Sequence, residues 1–413
     1  MANTFNTNKD APGIVAKAAA KMLADELQFC KSIAKADESD YNGKNGYSAG
    51  DTIYISKPAR FLPQTTFDIS SSQQDIVEEK VALTLDTIST VGVNIDTLEF
   101  ATEIQMKETL RRVVKPAVQA IAQDVESRFL DKAMDATYNV VGTPGSTVFD
   151  TDTVLSAREK MNQFLCPKDD QRSLLFNSTA MRSAVNARKG LFQSSDEISK
   201  QYKQGFIGMS DGFKWLENEL LPTHTNGNDT SFEVRTTVST EGQSTLVVEG
   251  LTTTTGTVTK GTTFTIDTVF AVHPITKTTL PNLQEFVVTA DATADGSGYA
   301  TLSISPALYT SASNGLQNIS AFPVDGDTCN VKTGTASTGY TNNLAFHKDA
   351  FRMVSAPLVM PTKAEFAVQE SYQGISVAII RDFDVNTRKM ITRLDFLGGI
   401  TADRPEWACR LVA

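Results

Sequence analysis

Phe213-Lys-Trp-Leu-Glu-Asn-Glu-Leu-Leu-Pro-Thr-His-Thr-Asn-Gly227 is where this chain of 413 residues changes character. Phe213 to Glu217 alternates as a strand with one buried face does. From Leu221 to about Tyr340 the chain is rich in threonine, glycine and short alternating β runs, with no credible helix, and reads as a separate β domain. Its clearest strands are Thr263-Phe-Thr-Ile-Asp-Thr-Val-Phe-Ala-Val-His273, Gln284-Glu-Phe-Val-Val-Thr289 and Tyr299-Ala-Thr-Leu-Ser-Ile-Ser305, parted by turns such as Asp295-Gly-Ser-Gly298. A small barrel is the natural way to close such strands. Mixed α+β character is expected again from Asn343, with strands at Ile375 to Ile380, Lys389 to Phe396 and Trp407 to Leu411. The β domain is thus expected to interrupt another domain.

Upstream, Val15, Ala19, Met22, Leu23, Leu27 and Cys30 fall at three- and four-residue spacing, which predicts an amphipathic helix from Pro12 to about Lys35. Asp51-Thr-Ile-Tyr-Ile-Ser-Lys57 alternates as a strand ended by Pro58. Residues Phe61 to Asp75 are rich in Ser, Thr and Gln, and Val77, Val81, Leu83 and Leu85 then mark one face of a second strand. Together these suggest a long hairpin, and an isolated two-stranded ribbon is marginal in water, so packing on another subunit is expected, the alternative being a hairpin that lies on its own domain. Asp96 and Glu99 can cap a helix whose stripe runs through Ile104, Val114, Val118, Ile121, Val125, Phe129 and Met134 to about Tyr138. At about 40 residues it far exceeds the usual three or four turns, and Pro116 should kink it or begin a second segment. After Gly142-Thr-Pro-Gly145, a helix around Val154 to Leu165, a strand Ser173 to Asn177 and a helix to about Arg188 follow.

Composition narrows the function. The chain is 40% hydrophobic and 21% charged, ordinary for a folded protein of two or three domains. Met1 to Asp10 lacks the pattern of a secretory signal, and no apolar run approaches the length of a membrane-spanning helix, so a soluble protein made in the cytoplasm is expected. Cys30, Cys166, Cys329 and Cys409 lie far apart and suggest neither a disulfide framework nor a zinc site. Acidic residues outnumber basic ones 48 to 38, and a net charge of -10 disfavours sequence-specific DNA binding.

Motifs for chemistry are weak. Gly208-Met-Ser-Asp-Gly212 has the spacing of a nucleophile elbow, which would make Ser210 a hydrolase nucleophile, yet Phe213 to Glu217 reads as a strand where a helix is required. Neither His224 nor His273 carries a further signature of a base. Gly256-Thr-Val-Thr-Lys-Gly-Thr-Thr263 places Lys260 before the second glycine, the wrong order for a phosphate loop. His224, His273 and His347 form no metal-binding pair, and for the two carboxylates of Asp382-Phe-Asp384 a solvated or intersubunit ionic role is simpler than acid and base catalysis. No catalytic, cofactor-binding or metal-binding residue is expected. The rival readings are a hydrolase using Ser210 and a surface adhesion module built on the threonine-rich domain.

Three strings, Gly50-Asp-Thr-Ile-Tyr-Ile-Ser-Lys-Pro58, the opening Phe213 to Gly227, and Asn343-Leu-Ala-Phe-His-Lys-Asp-Ala-Phe351, resemble the coat proteins of short-tailed phages of the P22 kind. Lys260 to Lys277 with Gln284 to Thr289 is similar to that family's inserted domain. The resemblance implies an α+β Hong Kong 97 phage capsid fold. It would comprise an N-terminal arm over 1–40, an extended loop and peripheral-domain strands over 41–96, and a spine helix over 97–140. The axial domain would fill 141–222 and 343–385, interrupted by a β-barrel domain at 223–342, with peripheral-domain C-terminal strands over 386–413. It further implies a major capsid protein that self-assembles as pentamers and hexamers into an icosahedral shell. The implied partners are a portal protein, a decoration protein, and packaged DNA through nonspecific contact, with no membrane. About 50 residues precede the first strand, which leaves no room for a fused scaffold and implies a separate scaffolding protein. Lys44 and Lys57 are read as solvated lysines, not as crosslinking residues.

Overall fold

The structure is a computed structural model and describes residues 19–23, 27–35, 47–57, 67, 80–96, 115–145, 149–188, 208–311, 315–361, 364, 366–372, 374–384 and 389–412. Most of the expected N-terminal arm, the extended loop between 58 and 79 apart from Phe67, and the expected helix between 97 and 114 lie outside the described residues. The chain divides into two compact units, one of residues 1–55, 80–129 and 352–401, the other of 56–79, 130–351 and 402–413.

The first unit holds residues 115–129 of the helix Lys115–Ala136, with Pro116 at its described N-terminal end. Ala117, Val118, Ile121, Ala122, Val125 and Phe129 recur at three- and four-residue spacing and are all buried. Phe129 meets Phe396 edge to face at 6.4 Å, and Glu126 accepts the Phe29 N–H at 3.0 Å, which ties the short helix Gln28–Ser32 to the long one. That short helix ends before the expected Lys35. Ile33 is extended, and Ala34–Lys35 is a strand parallel to Arg352–Met353, so tertiary pairing overrides the helical period.

The sheet of this unit runs Ala34–Lys35, Phe351–Ser355, Lys389–Ala402, Ile375–Asp384, Phe366–Tyr372, with Thr87–Asp96 also paired to Lys389–Ala402. Thr87–Asp96 falls in the stretch for which the resemblance implied peripheral-domain strands, although its own residues were not singled out as one; Lys389–Gly398 pairs with it rung by rung. Thr52–Ser56 and Lys80–Thr84 pair as expected, but the described strands bury Ile53, Ile55 and Leu83 against this chain's own Val354 and Leu397, the alternative to packing on another subunit. Gly399 permits the close approach, since a Cβ there would lie 2.3 Å from the Thr84 carbonyl oxygen.

The second unit is built on a sheet in the order Val140–Gly142, Ala408–Val412, Gly339–His347, Arg172–Phe176, Phe213–Glu217, Met209–Ser210, with Thr223–Thr225 also on Gly339–His347. Arg172–Phe176 is buried at every residue, as an inner strand of a covered sheet must be. The helices Thr151–Gln163 and Ser178–Arg188 belong to this unit; Asp150 caps the first by accepting the Thr153 N–H at 2.9 Å. Phe149, Phe176 and Trp215 fill the core with Val154, Ala157 and Met161.

Between Thr225 and Gly339 the chain closes a six-stranded barrel: Ser231–Val234, Gln243–Glu249, Ala300–Leu308, Thr279–Val288, Thr263–Val272, Thr328–Val331. Phe264 meets Phe232 edge to face at 5.6 Å and Phe286 at a tilt at 6.0 Å in its core, and Val248, Leu302 and Ile304 complete the filling. The expected barrel is therefore present. After Asn343, however, the described residues contain strands and two 3₁₀ turns, Lys348–Ala350 and Pro405–Trp407, where mixed α+β was expected. Ala408–Val412 pairs with Gly339–His347, whereas Phe351–Ser355 and Ile375–Asp384 share a sheet with Lys389–Ala402.

Candidate anchoring site of the barrel

Ser210 ends the strand Met209–Ser210, and Asp211 and Gly212 turn the chain directly into Phe213–Glu217, antiparallel to it. This is a hairpin and not a strand-to-helix elbow. The Ser210 hydroxyl donates to Asp211 Oδ2 at 3.2 Å, and its carbonyl accepts from Trp215 Nε1. The hydrogen bonds of the histidines lead elsewhere: His347 Nε2 to Asp169, His224 Nε2 to Asn226, and His273 Nδ1 accepting from the Ile275 and Thr276 N–H groups. Among the described residues no group of three His, Cys, Asp or Glu side chains could hold a metal ion. All four cysteines are buried. Burial pushes the Cys166 thiol up to about 11 and that of Cys409 up to about 12, which keeps them protonated and unreactive at neutral pH. Asp382 lies exposed on a strand with its carboxylate accepting the Phe383 N–H at 2.8 Å. No described helix is long and apolar enough to cross a membrane.

Polar side chains instead converge where the barrel meets the sheet that carries it. The strands Thr223–Thr225 and Gly339–Thr341, leading into and out of the barrel, pair antiparallel, so the barrel stands on a two-stranded stem. Glu285 projects from the barrel strand Thr279–Val288 and is only 8% exposed. Its Oε2 accepts the Val140 N–H at 2.9 Å, and its Oε1 accepts from Lys160 Nζ at 2.5 Å. Lys160 also donates to the Val140 carbonyl at 2.6 Å, closing a ring of barrel carboxylate, helix ammonium and edge-strand peptide. One turn further along the same helix, Gln163 Oε1 accepts from Asn282 Nδ2 at 2.9 Å.

A second cluster surrounds Gly261. Arg410, 1% exposed, donates from Nη1 to the Gly261 carbonyl at 2.7 Å, and Lys260 pairs with Asp135 at 2.8 Å. Gly261 has φ +85°, and a Cβ there would sit 2.7 Å from Asp135 Oδ1 and 3.2 Å from His224 Nδ1, so glycine is required on both counts. Burial, then the Arg410 charge, pushes the His224 imidazole down to about 4, against the opposing pull of Asn226 and Asp135. It is therefore neutral at pH 7. Burial lowers Arg410 to about 10, with Asp135 the largest opposing influence. The guanidinium stays charged, and among the described residues its Nε and Nη2 have no hydrogen-bond partner, as is true of both amide ends of buried Asn342.

Gly256 to Thr263 holds the two-residue strand Thr257–Val258, paired with Ala292–Thr293, and the turn that leads into Thr263–Val272; its Lys260 N–H donates to Asp291 and its ammonium to Asp135. Of the residues singled out from the sequence, His224 and Lys260 thus join the anchor, in structural roles, while Ser210, His273, His347 and Asp382 do not. Glu285, Lys160, Asp135 and Arg410 were not singled out. The one sequence signal for Glu285 is a carboxylate inside the otherwise apolar run Phe286-Val-Val288 and its preceding Gln284, where both faces of the strand are buried.

A family model described as P22 coat protein, gene protein 5, matches residues 13–411. The chain is similar to a solved structure described as the capsid of Ralstonia phage GP4, at 8% identity over 92% of this chain and 87% of that one, with a TM-score of 0.45. A structure from Mycobacterium phage Che8 shares 12% identity over 93% and 90% of the two chains, with a TM-score of 0.43. The CUS-3 coat protein I-domain is 21% identical, covering 25% of this chain and 96% of that one, at a TM-score of 0.19. No curated protein matches. At these identities and scores the weight rests on the family match.

Proposed function

We propose a division of labour within a chain that belongs to the P22 coat protein family and is the major capsid protein of a tailed phage, a structural subunit and not an enzyme. Its copies assemble into the shell of the virion. In our reading they do so as pentamers and hexamers of one sequence, in the host cytoplasm, guided by a separate scaffolding protein and joined at one vertex by a portal protein. A decoration protein is a further candidate partner, and DNA touches the inner surface without sequence preference, in keeping with a net charge of -10.

The proposed domains follow the Hong Kong 97 phage organisation, with an N-terminal arm, an extended loop, a spine helix ending near Ala136, and peripheral and axial domains. The boundaries we favour put 352–401 with the peripheral strands and return 402–412 to the axial sheet, since the strand pairings divide there. The barrel at 223–342 acts as a clamp on the axial domain. The observation that carries this role is the buried ring of Glu285, Lys160 and Val140, which bonds the barrel to the helix and edge strand of its carrier.

The test is removal of residues 223–342 with a short linker joining Pro222 to Asn343, expressed with and without the neighbouring phage genes. The clamp reading expects soluble subunit to fall sharply, or shells of irregular size. Normal yield of uniform shells would rule it out. Uniform full-size shells from the intact chain expressed alone would rule out the scaffolding partner.

A further inference from the structure

A cleft of about 520 Å³ opens within the second unit, between turns of the barrel and the segments 164–165 and 404–407 of its carrier. That volume suits a small ligand or a few residues of a peptide. Tyr138, Phe164 and Pro306 line it, as do Leu165 and Ile275, which remain 40% and 56% exposed. Leu165 has φ +58°, the left-handed conformation that follows a helix end and favours glycine. A leucine there is strained, and the exposed part of its side chain gains nothing from folding. Ile275 stands on a turn pinned by His273 Nδ1, which accepts the Ile275 and Thr276 N–H groups at 3.3 and 3.2 Å, so the apolar rim is held in place before anything binds. Deeper in, Gln284 is 1% exposed, and its Nε2 donates to the Glu285 carbonyl at 2.8 Å. Its Oε1 is left as an acceptor with no partner among the described residues; the same is true of Gln317 Oε1, and both residues line the cleft. Buried carbonyl oxygens call for N–H donors. Arg404, whose guanidinium lies 4.4 Å over the Trp407 ring, and Lys57 bring two positive charges to the lining against the one carboxylate of Glu406, although the whole chain carries -10.

We propose that this cleft binds an extended peptide segment of a partner protein, one that presents a large apolar side chain beside a carboxylate. The apolar side chain packs on Tyr138, Phe164 and Pro306 and covers Leu165 and Ile275. Main-chain N–H groups of the segment donate to Gln284 and Gln317 Oε1, and its carboxylate pairs with Arg404 or Lys57. A lipid chain has no N–H to offer the two acceptors, and a nucleic acid would meet the cations while leaving the aliphatic rim uncovered. A basic peptide would bring like charge to the lining. The site is a property of the single subunit and does not depend on the capsid reading, so its first test uses subunits that have not assembled.

Full-length subunit is titrated with the synthetic peptide acetyl-Asp-Phe-Leu-Asp-amide, and binding is read from tryptophan fluorescence, since Trp407 lines the cleft while Trp215 is buried in the core of the sheet. The expected result is a saturable change at submillimolar peptide, about five-fold weaker for Gln317→Leu and for Arg404→Ala, the loss of one hydrogen bond or ion pair. Val324→Ser, at an exposed barrel position away from the cleft, should bind as the unaltered chain does, and a peptide with lysine in place of aspartate should not bind. A flat titration, undiminished binding by the cleft variants, or equal binding of the lysine peptide would overturn the site; should one cleft variant not fold, the other decides. The source is then read by replacing Ile275 with the photo-crosslinker benzoylphenylalanine in the full-length chain expressed with the neighbouring phage genes. An adduct mapped to an acidic and apolar segment of another gene product supports the proposal, whereas adducts only between copies of this chain, or none, end it. None of these outcomes bears on shell formation, which electron microscopy reads separately.

Discussion

Replacing Glu285 by alanine is the most informative perturbation of the anchor. The carboxylate is 8% exposed, and its Lys160 partner retains 20% of its side-chain exposure. Removing one member of a fully buried pair costs about 3 to 5 kcal/mol. Lys160 keeps the Val140 carbonyl and some access to water, which lowers that figure, while the Val140 N–H loses its acceptor at about 1 to 3 kcal/mol. A net loss of about 3 kcal/mol follows, or a drop of roughly 1 M or more in the urea midpoint at a typical denaturant slope. The assay is built into the sequence, because both tryptophans, Trp215 and Trp407, lie outside the barrel in the unit that carries it. Trp215 is fully buried, so tryptophan fluorescence of unassembled subunits reports on the carrier. A substitution in the barrel should therefore shift a signal arising outside it. A double-mutant cycle with Lys160→Ala should return a coupling of at least about 1 kcal/mol. A fluorescence midpoint unchanged by Glu285→Ala would refute the clamp.

Further outcomes follow from the same residues. His224 titrates near 4 in the fold and near 6.5 when unfolded, so the unfolded chain takes up a proton that the native state refuses. Its contribution is intact above about pH 6.5 and falls progressively towards pH 4, by about 3 kcal/mol, and His224→Gln should flatten the stability profile across that window. Gly261→Ala meets both a positive φ and the Asp135 and His224 side chains, and should cost about 2 kcal/mol in chemical denaturation. Ser210→Ala should leave stability within about 0.5 kcal/mol and shell formation unchanged; loss of any hydrolytic activity with intact assembly would revive the enzyme reading.

The inserted barrel was legible because its signals are local: Thr-rich alternation, Gly turns and the abrupt break after Leu221. The pairing of Thr52–Ser56 with Lys80–Thr84 was legible for the same reason. Thr87–Asp96 was hidden because the apolar alternation that identifies a strand is diluted by Ser89, Thr90, Gly92 and Asn94, and its stability comes from rungs with Lys389–Gly398, about three hundred residues away in sequence. Ala34–Lys35 continued a helical period and yet pairs with Arg352–Met353. The anchor was hidden for a stronger reason. Glu285 and Lys160 are separated by 125 residues, and Arg410 and Gly261 by 149, so no spacing rule connects them. Glu285, Lys160 and Arg410 each read singly as a charged residue in an ordinary helix or strand, and only the folded chain brings them to their partners.

The central claim is tested most directly by electron microscopy of the full-length chain purified after expression with the neighbouring phage genes. The account predicts closed polyhedral shells in which the subunits are grouped in fives and sixes, each carrying its barrel against the sheet of residues 140–142, 172–176, 339–347 and 408–412. Dispersed monomers under those conditions, with neither shells nor capsomers at any concentration, would contradict it.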